Sequence, residues 1–89
     1  MYISEGKKHM LRELGPAWRI QVIDLEPCVY RDLGKHDIEV SAVHGLKGSK
    51  ISIYVWDKAD LTIIERLHNL TIDQAIDVCR CFEARYAGR

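Results

Sequence analysis

The run ISIYVW, residues 51–56, constrains the fold more than any other stretch of this chain, because it is apolar on both sides. Successive side chains of a strand point to opposite faces, so one face receives Ile51, Ile53 and Val55. The other face receives Tyr54 and Trp56. A strand that is apolar on both faces is typical of the interior of a sheet. The sequence therefore predicts neighbouring strands on both sides of this run and cover on both of its faces.

The length of the chain supports one domain, residues 1–89. A chain of this size buries only about 60 to 65% of the surface that its unfolded form exposes, so it has no surface to spare for a second core. No apolar run approaches the roughly 18 residues that span a bilayer. The N-terminal residues contain no signal-peptide apolar block. We expect a cytoplasmic protein without a membrane partner.

Alternating apolar and polar residues predict further strands over about residues 17–25 and 38–42. The loop HGLKGSK, residues 44–50, should join the second of these strands to the run at 51–56 as a hairpin. Residues 26–37 show no clear periodicity and include Pro27, which lacks a backbone donor. We expect this segment to connect two strands or to form a short extended edge.

Residues 60–68 are ambiguous, because a short apolar run fits a strand or a helix equally well by periodicity. The tight DKAD turn before Leu61 favours a fourth antiparallel strand. The next segment is clearer, since Thr71 followed by Gln74 forms a capping box that starts a helix. Its apolar stripe follows a spacing of three and four residues: Ile72, Ala75, Ile76, Cys79, Phe82 and Tyr86.

A shorter helix is predicted near the N-terminus, where Ser4 serves as its N-cap and Gly15-Pro16 ends it. Gly6 lies inside this helix and weakens it. The expected fold class is α+β: an antiparallel three- to four-stranded sheet packed on a long C-terminal helix, with a short N-terminal helix.

The three cysteines do not predict a metal site or thiol chemistry. Successive helical residues turn by about 100°, so Cys79 and Cys81 point roughly 200° apart and cannot share one metal ion. Cys79 belongs to the apolar stripe, whereas Cys81 faces outward. Cys28 lies beside Pro27, and a distant pairing of Cys28 with Cys81 stays open at this stage. The odd number of cysteines fits free thiols in a reducing compartment.

No constellation typical of an active site or a metal site is present. The histidines do not have the spacing that places two metal ligands on one side: His9, His36, His44 and His68. Four acids cluster around the segment 26–37 and are interpreted as a solvated acidic loop: Asp24, Glu26, Asp32 and Asp37. We therefore expect no catalytic, metal-binding or cofactor-binding residues, no cofactor, and a protein that is not an enzyme.

The face of Tyr54 and Trp56 is the candidate partner-binding surface, with Arg19 and Val43 as further members. The N-terminal helix, a second subunit or another partner would each cover it. A homodimer is attractive because small domains often gain stability by association, and tyrosine and tryptophan are favoured at interfaces. These considerations predict a small protein-interaction module, homodimeric, of the compact and neutral kind common among accessory proteins of phages and other mobile elements.

The alternative function is nucleic-acid binding. The order of a helix, strands and a long helix is similar to the double-stranded RNA-binding module, which grips phosphates with lysines at the start of its last helix. Here that position carries Asp73 and Asp77, and Lys/Arg balance Asp/Glu at thirteen each. Nucleic acid would have to be held instead by the aromatic residues of the sheet and by loop lysines, and is not the expected partner. These lysines are Lys35, Lys47, Lys50 and Lys58. A candidate anion contact is nevertheless assigned to the loop at 44–50, at His44, Lys47 and Lys50.

Overall fold

The computed structural model describes residues 2–88 and has two helices and five strands. The elements in chain order are α1 (Glu5–Leu14), β1 (Arg19–Ile23), β2 (Glu26–Asp32), β3 (His36–Ser41), β4 (Ile51–Asp57), β5 (Thr62–Leu70) and α2 (Ile72–Tyr86). The strands form one antiparallel sheet in the order β1-β2-β3-β4-β5. The α+β class is confirmed, and the sheet has one strand more than the upper estimate from the sequence. None of the helices within residues 2–88 has the length and apolarity needed to cross a bilayer.

The extra strand is β2, and the prediction that residues 26–37 only connect or form an edge is wrong. Asp24 and Leu25 both have positive φ angles, 50° and 67°, and join β1 to β2 in a two-residue turn. In such a hairpin the residue pair beside the turn, Ile23 and Glu26, exchanges backbone hydrogen bonds, and the next pair, Val22 and Pro27, does not. The nitrogen of Pro27 therefore faces away from β1. Pairing of β2 with β3 begins only at Val29, and Pro27 therefore interrupts no ladder.

The predictions for β5 and for the first residues of both helices are confirmed. Residues 62–70 form a strand, β5, rather than a helix. The Thr71 hydroxyl accepts the Gln74 N–H, and the Gln74 side chain accepts the Thr71 N–H in return. The Ser4 hydroxyl caps α1 by accepting the N–H of Lys7. The two helix caps can be recognised from the sequence without knowledge of the fold, because in each a side chain satisfies a backbone N–H at the start of a helix.

The core lies between the sheet and both helices. Met10 of α1 and Phe82 of α2 belong to the same buried cluster as Val29, Val40 and Ile53 of the sheet. The two helices pack against each other on this one face of the sheet. The N-terminal helix therefore does not cover the opposite face, which we call the open face.

Gly6 allows α1 to approach the loop between β3 and β4 closely. The Gly6 N–H donates to the carbonyl oxygen of His44 at 2.7 Å. A Cβ atom on residue 6 would lie 2.5 Å from that oxygen and 3.0 Å from a methyl carbon of Val43. The glycine that weakens the helix in isolation is thus required by the packing of the helix against the loop.

Val43 was placed on the open face by strand alternation, and this assignment is wrong. Ala42 has a positive φ of 61°, which ends the alternation after Ser41. Val43 is consequently turned into the core, where its side chain is fully buried. Its carbonyl oxygen accepts from the Ser4 hydroxyl at 2.8 Å and from the Lys7 ammonium at 2.7 Å. Val43 thus serves to anchor α1 rather than to line an exposed surface.

Candidate functional site

Two rows of side chains cross the open face, and every strand contributes one residue to the first row. The backbone register places these five residues opposite one another in the order Arg19, Tyr30, Glu39, Tyr54 and Arg66. A second row runs from Asp37 through Trp56 to Ile63. The predicted residues Arg19, Tyr54 and Trp56 thus share this face, whereas Val43 does not.

The sheet is curled around its open face. In a flat sheet β1 and β5 would lie about 19 Å apart, four strand spacings. Ile23 of β1 and Ile63 of β5 nevertheless line the same hollow of about 430 Å³. A second hollow of about 310 Å³ adjoins it and shares Ile23, Glu39 and Trp56 with the first. The open face is therefore a concave surface with its aromatic residues in the floor.

The aromatic floor is partly shielded from solvent but is not sealed. Tyr54 and Trp56 are both half-buried. The indole N–H of Trp56 is buried and has no hydrogen-bond partner within residues 2–88, although the Glu39 carboxylate lies near it. The Tyr54 ring meets His68 edge to face, with 5.7 Å between ring centroids. Buried donors are usually satisfied by a protein group or an ordered water, so the Trp56 indole is a position where a water molecule or a ligand group completes the hydrogen bonding.

Two carboxylates on this face are held in partly dehydrated surroundings. Burial raises the pKa of Glu39, and the nearby Trp56 indole lowers it only in part. One oxygen of Asp37 accepts from the Tyr30 hydroxyl, while the other is buried without a hydrogen-bond partner in the described chain. Burial, followed by the bond to Asp37, raises the pKa of Tyr30. These residues therefore present acceptor capacity that the chain itself leaves unused.

The charge around the two hollows is unbalanced, although the whole chain has no net charge. Five carboxylates line the hollows: Asp24, Glu26, Asp37, Glu39 and Asp57. None of them forms an ion pair with another residue in the range 2–88. The cationic residues in the lining are Arg66 and Lys58, and Lys58 is already paired with Asp32 at 2.6 Å. The result is an acidic concave surface on a neutral protein.

Cys28 also lies on this face, in the lining of the larger hollow. Burial, with additional contributions from Glu26 and Glu39, raises the pKa of its thiol to about 11. Cys79 is fully buried in the core and Cys81 is exposed, as the helical spacing predicts. All three cysteines are free, so the distant pairing of Cys28 with Cys81 does not occur. A protonated thiol at neutral pH is a poor nucleophile, and Cys28 contributes shape rather than reactivity.

We expect one of the three cysteines to react with a thiol reagent at pH 8 in the folded protein, and all three after denaturation. Cys81 is exposed, whereas Cys28 and Cys79 are buried and burial raises the pKa of both thiols. Titration with Ellman's reagent, with and without guanidinium chloride, measures the number of reactive thiols in the denatured and the folded protein. A Cys81→Ser variant should show no reactive thiol when folded, and rapid labelling of two thiols in the native wild type would contradict the assignment.

The predicted anion contact lies apart from the open face. His44, Lys47 and Lys50 are exposed in the loop between β3 and β4. Lys35 and Lys58 lie in turns at the opposite end of the sheet. Lys58 borders the smaller hollow, where it is paired with Asp32, and these loop cations form no continuous basic surface.

Several residues of the site were missed by sequence reasoning. Tyr30 and Cys28 lie in β2, which was not expected to be an interior strand. Glu26 and Asp37, interpreted as parts of a solvated loop, lie in β2 and β3. The β-forming residues that precede Arg31 were the available signal for β2, but Pro27 obscured it. Within residues 2–88, no group of three or more His, Cys, Asp or Glu side chains is arranged to hold a metal ion.

Comparisons of the chain with protein-family models, curated proteins and solved structures found no match.

Proposed function

We propose that this protein is a small interaction module that binds another protein on the open face of its sheet. The observation that carries the proposal is the concave aromatic floor, in which the half-buried Tyr54 and Trp56 lie beside the Glu39 carboxylate in the lining of the hollows. Half-buried tyrosine and tryptophan residues are frequent anchors of protein interfaces, because each combines a large apolar area with a polar group. The remaining sheet face is filled by the two helices and offers no comparable surface.

The sheet edges are less suited to partner binding than the open face. β1 has only five residues, and short edge strands discourage pairing with another chain. β5 has nine residues, but its register with β4 shifts twice, between Ile51 and Ile53 and between Val55 and Trp56. Such irregularities twist a strand and disrupt its free edge. These features favour docking on the face over extension of the sheet.

Binding rather than catalysis is the role that the chemistry of this face supports. The Cys28 thiol, with its raised pKa of about 11, stays protonated near neutral pH. Nucleic-acid binding is the weaker alternative, because phosphates would be repelled by the carboxylates of the open face. The free thiols are consistent with the proposed cytoplasmic location. Self-association and a role in a mobile element stay predictions from the sequence.

A Trp56→Ala variant should lose binding to ligands of the open face by at least about tenfold, as expected for an aromatic anchor. Ligands can be selected with wild-type protein from a displayed library of random peptides. The matched control is Leu46→Ala, which truncates an exposed apolar side chain in the loop between β3 and β4, away from the hollows. Circular dichroism of both variants verifies that they fold. Selected peptides that bind Trp56→Ala as tightly as wild type would reject the open face as the docking surface.

A further inference from the structure

We propose that the segment docked on the open face is basic: an extended stretch of another protein that places lysine or arginine side chains among the carboxylates of the hollows. An apolar side chain of the same segment packs on Trp56. This inference rests on the proposed function and deepens it by naming the chemistry of the partner. It commits to a segment of a different protein rather than to a second copy of this chain.

Charge complementarity is the first argument. The hollows are lined by five carboxylates and two cationic side chains, one of which is neutralised by Asp32. Complementary charge increases association rates and selects among partners, especially where a concave surface concentrates the field. An acidic or phosphate-bearing ligand would meet repulsion at every carboxylate, whereas a lysine or arginine side chain gains at each of them.

The state of the carboxylates is the second argument. Glu39 is partly buried in the middle of the face, where its two neighbouring strands surround it with Tyr30 of β2 and with Tyr54 and Trp56 of β4. It has no cationic partner in the described chain. A dehydrated carboxylate without a counter-charge is unfavourable, and a docked ammonium or guanidinium group relieves that cost. Arginine donates up to five hydrogen bonds, so one guanidinium group can serve more than one of the carboxylates that line the hollows.

The aromatic floor is the third argument. A cation over the face of a tryptophan or tyrosine ring is attracted by the ring quadrupole, and the interaction strengthens when water is excluded. The protein already uses this contact on the same face, since the Arg19 guanidinium lies 5.0 Å from the centre of the Tyr30 ring. The larger hollow, about 430 Å³, has room for side chains of an extended segment. Carboxylates beside half-buried aromatic rings thus suit a cationic side chain with an apolar neighbour.

A second copy of the chain fits this surface less well. Two open faces related by a two-fold axis would oppose acidic surfaces, and like charges at an interface are unfavourable. The loop at 44–50 of another copy carries Lys47, Lys50 and the exposed Leu46. Inserting this loop into the open face of a neighbouring copy would be a head-to-tail contact between two different surfaces. Such contacts build open filaments unless the subunits close into a ring. A foreign basic segment avoids both difficulties.

The test uses two fluorescein-labelled twelve-residue peptides that differ only in charge. One alternates arginine with leucine, and its twin has glutamate in place of every arginine. Fluorescence anisotropy should show at least about tenfold tighter binding of the basic peptide to the wild-type protein. The affinity should fall as the ionic strength rises from about 0.01 M to about 0.15 M, because the shorter Debye length screens the carboxylates.

Charge reversal at Glu39 locates the effect. Glu39→Lys should weaken the basic peptide by about tenfold or more and improve the acidic twin. Asp77→Lys is the matched control, because it reverses a charge at an exposed position of α2 and should change neither affinity beyond about twofold. Circular dichroism of the two variants verifies that each is folded.

Three results would overturn the inference. These are equal binding of the two peptides, unchanged binding to Glu39→Lys, and the absence of basic-peptide binding up to about 1 mM. Sedimentation showing that the wild type self-associates through a contact that Trp56→Glu abolishes would replace the foreign segment with a second copy. If library peptides selected on the open face prove neutral or acidic, the proposed function stands and only the basic character of the partner is rejected.

Discussion

Replacing Gly6 by alanine is expected to destabilise the protein by about 2 kcal/mol, although alanine is the better helix former by up to about 1 kcal/mol. The new Cβ would lie 2.5 Å from the carbonyl oxygen of His44, a backbone atom that cannot rotate away. The collision would also stretch the 2.7 Å hydrogen bond between the Gly6 N–H and that oxygen. Urea denaturation monitored by circular dichroism measures the loss of unfolding free energy.

Gly45→Ala is the control for this substitution, because it lies in the loop that Gly6 contacts. A Cβ at residue 45 would meet no atom within 4 Å, and the φ angle of Gly45 is not positive. The change should therefore leave stability unaltered or raise it by about 0.5 kcal/mol through the unfolded state. A Gly6→Ala protein as stable as the wild type would show that α1 does not approach the loop as described.

The second large effect is expected at Glu83, whose carboxylate links α2 to Arg31 of β2 and to Trp18, the residue before β1. One oxygen of Glu83 accepts from the Arg31 guanidinium at 2.8 Å and from the Trp18 indole N–H at 3.0 Å. Trp18 is almost fully buried. Glu83→Ala should cost about 2 to 3 kcal/mol of unfolding free energy, since it leaves a buried donor and a partly buried cation without their acceptor.

Two variants test whether the loss of stability comes from the hydrogen bonds of Glu83 with Arg31 and Trp18 rather than from the removal of a negative charge from a helix. Glu83→Gln keeps an acceptor oxygen and should lose about half as much stability, on the order of 1 kcal/mol. Glu13→Ala removes an exposed carboxylate of α1 and should change stability by no more than about 0.5 kcal/mol. Thermal melting followed by tryptophan fluorescence also reports the loosening of Trp18. An unchanged melting temperature for Glu83→Ala would refute the network.

The sequence predicted correctly those helices and strands whose local residue pattern agrees with the burial of their side chains in the folded protein. The capping box at Thr71, the helical stripe of α2 and the double-sided strand β4 belong to this group. β2 was missed because Pro27 normally argues against an interior strand, and its position at an unpaired site follows from the turn at Asp24 and Leu25. Turn type and register are properties of the paired hairpin, so one strand considered alone does not reveal them.

The candidate site was only half predictable for the same reason. Tyr54 and Trp56 follow from alternation within one strand, but alternation failed at Val43, where the positive φ of Ala42 redirects the chain. Three of the carboxylates around the aromatic residues, Asp24, Glu26 and Asp37, resemble an acidic loop in the sequence, whereas the structure brings them to one face from a turn and two strands. The curling of the sheet, which brings Ile23 and Ile63 to one hollow, depends on the packing of the whole domain.

The most direct measurement of the central claim follows the two tryptophan indole N–H signals by ¹H–¹⁵N correlation NMR during titration with the basic peptide. The Trp56 indole has no hydrogen-bond partner in the described chain, whereas the Trp18 indole is bonded to Glu83 on the helix side of the sheet. A Trp56→Phe variant assigns the two signals. We predict that the Trp56 signal shifts in a saturable manner while the Trp18 signal stays in place. A stationary Trp56 signal, with shifts confined to residues of α1 and α2, would contradict the open face as the docking surface.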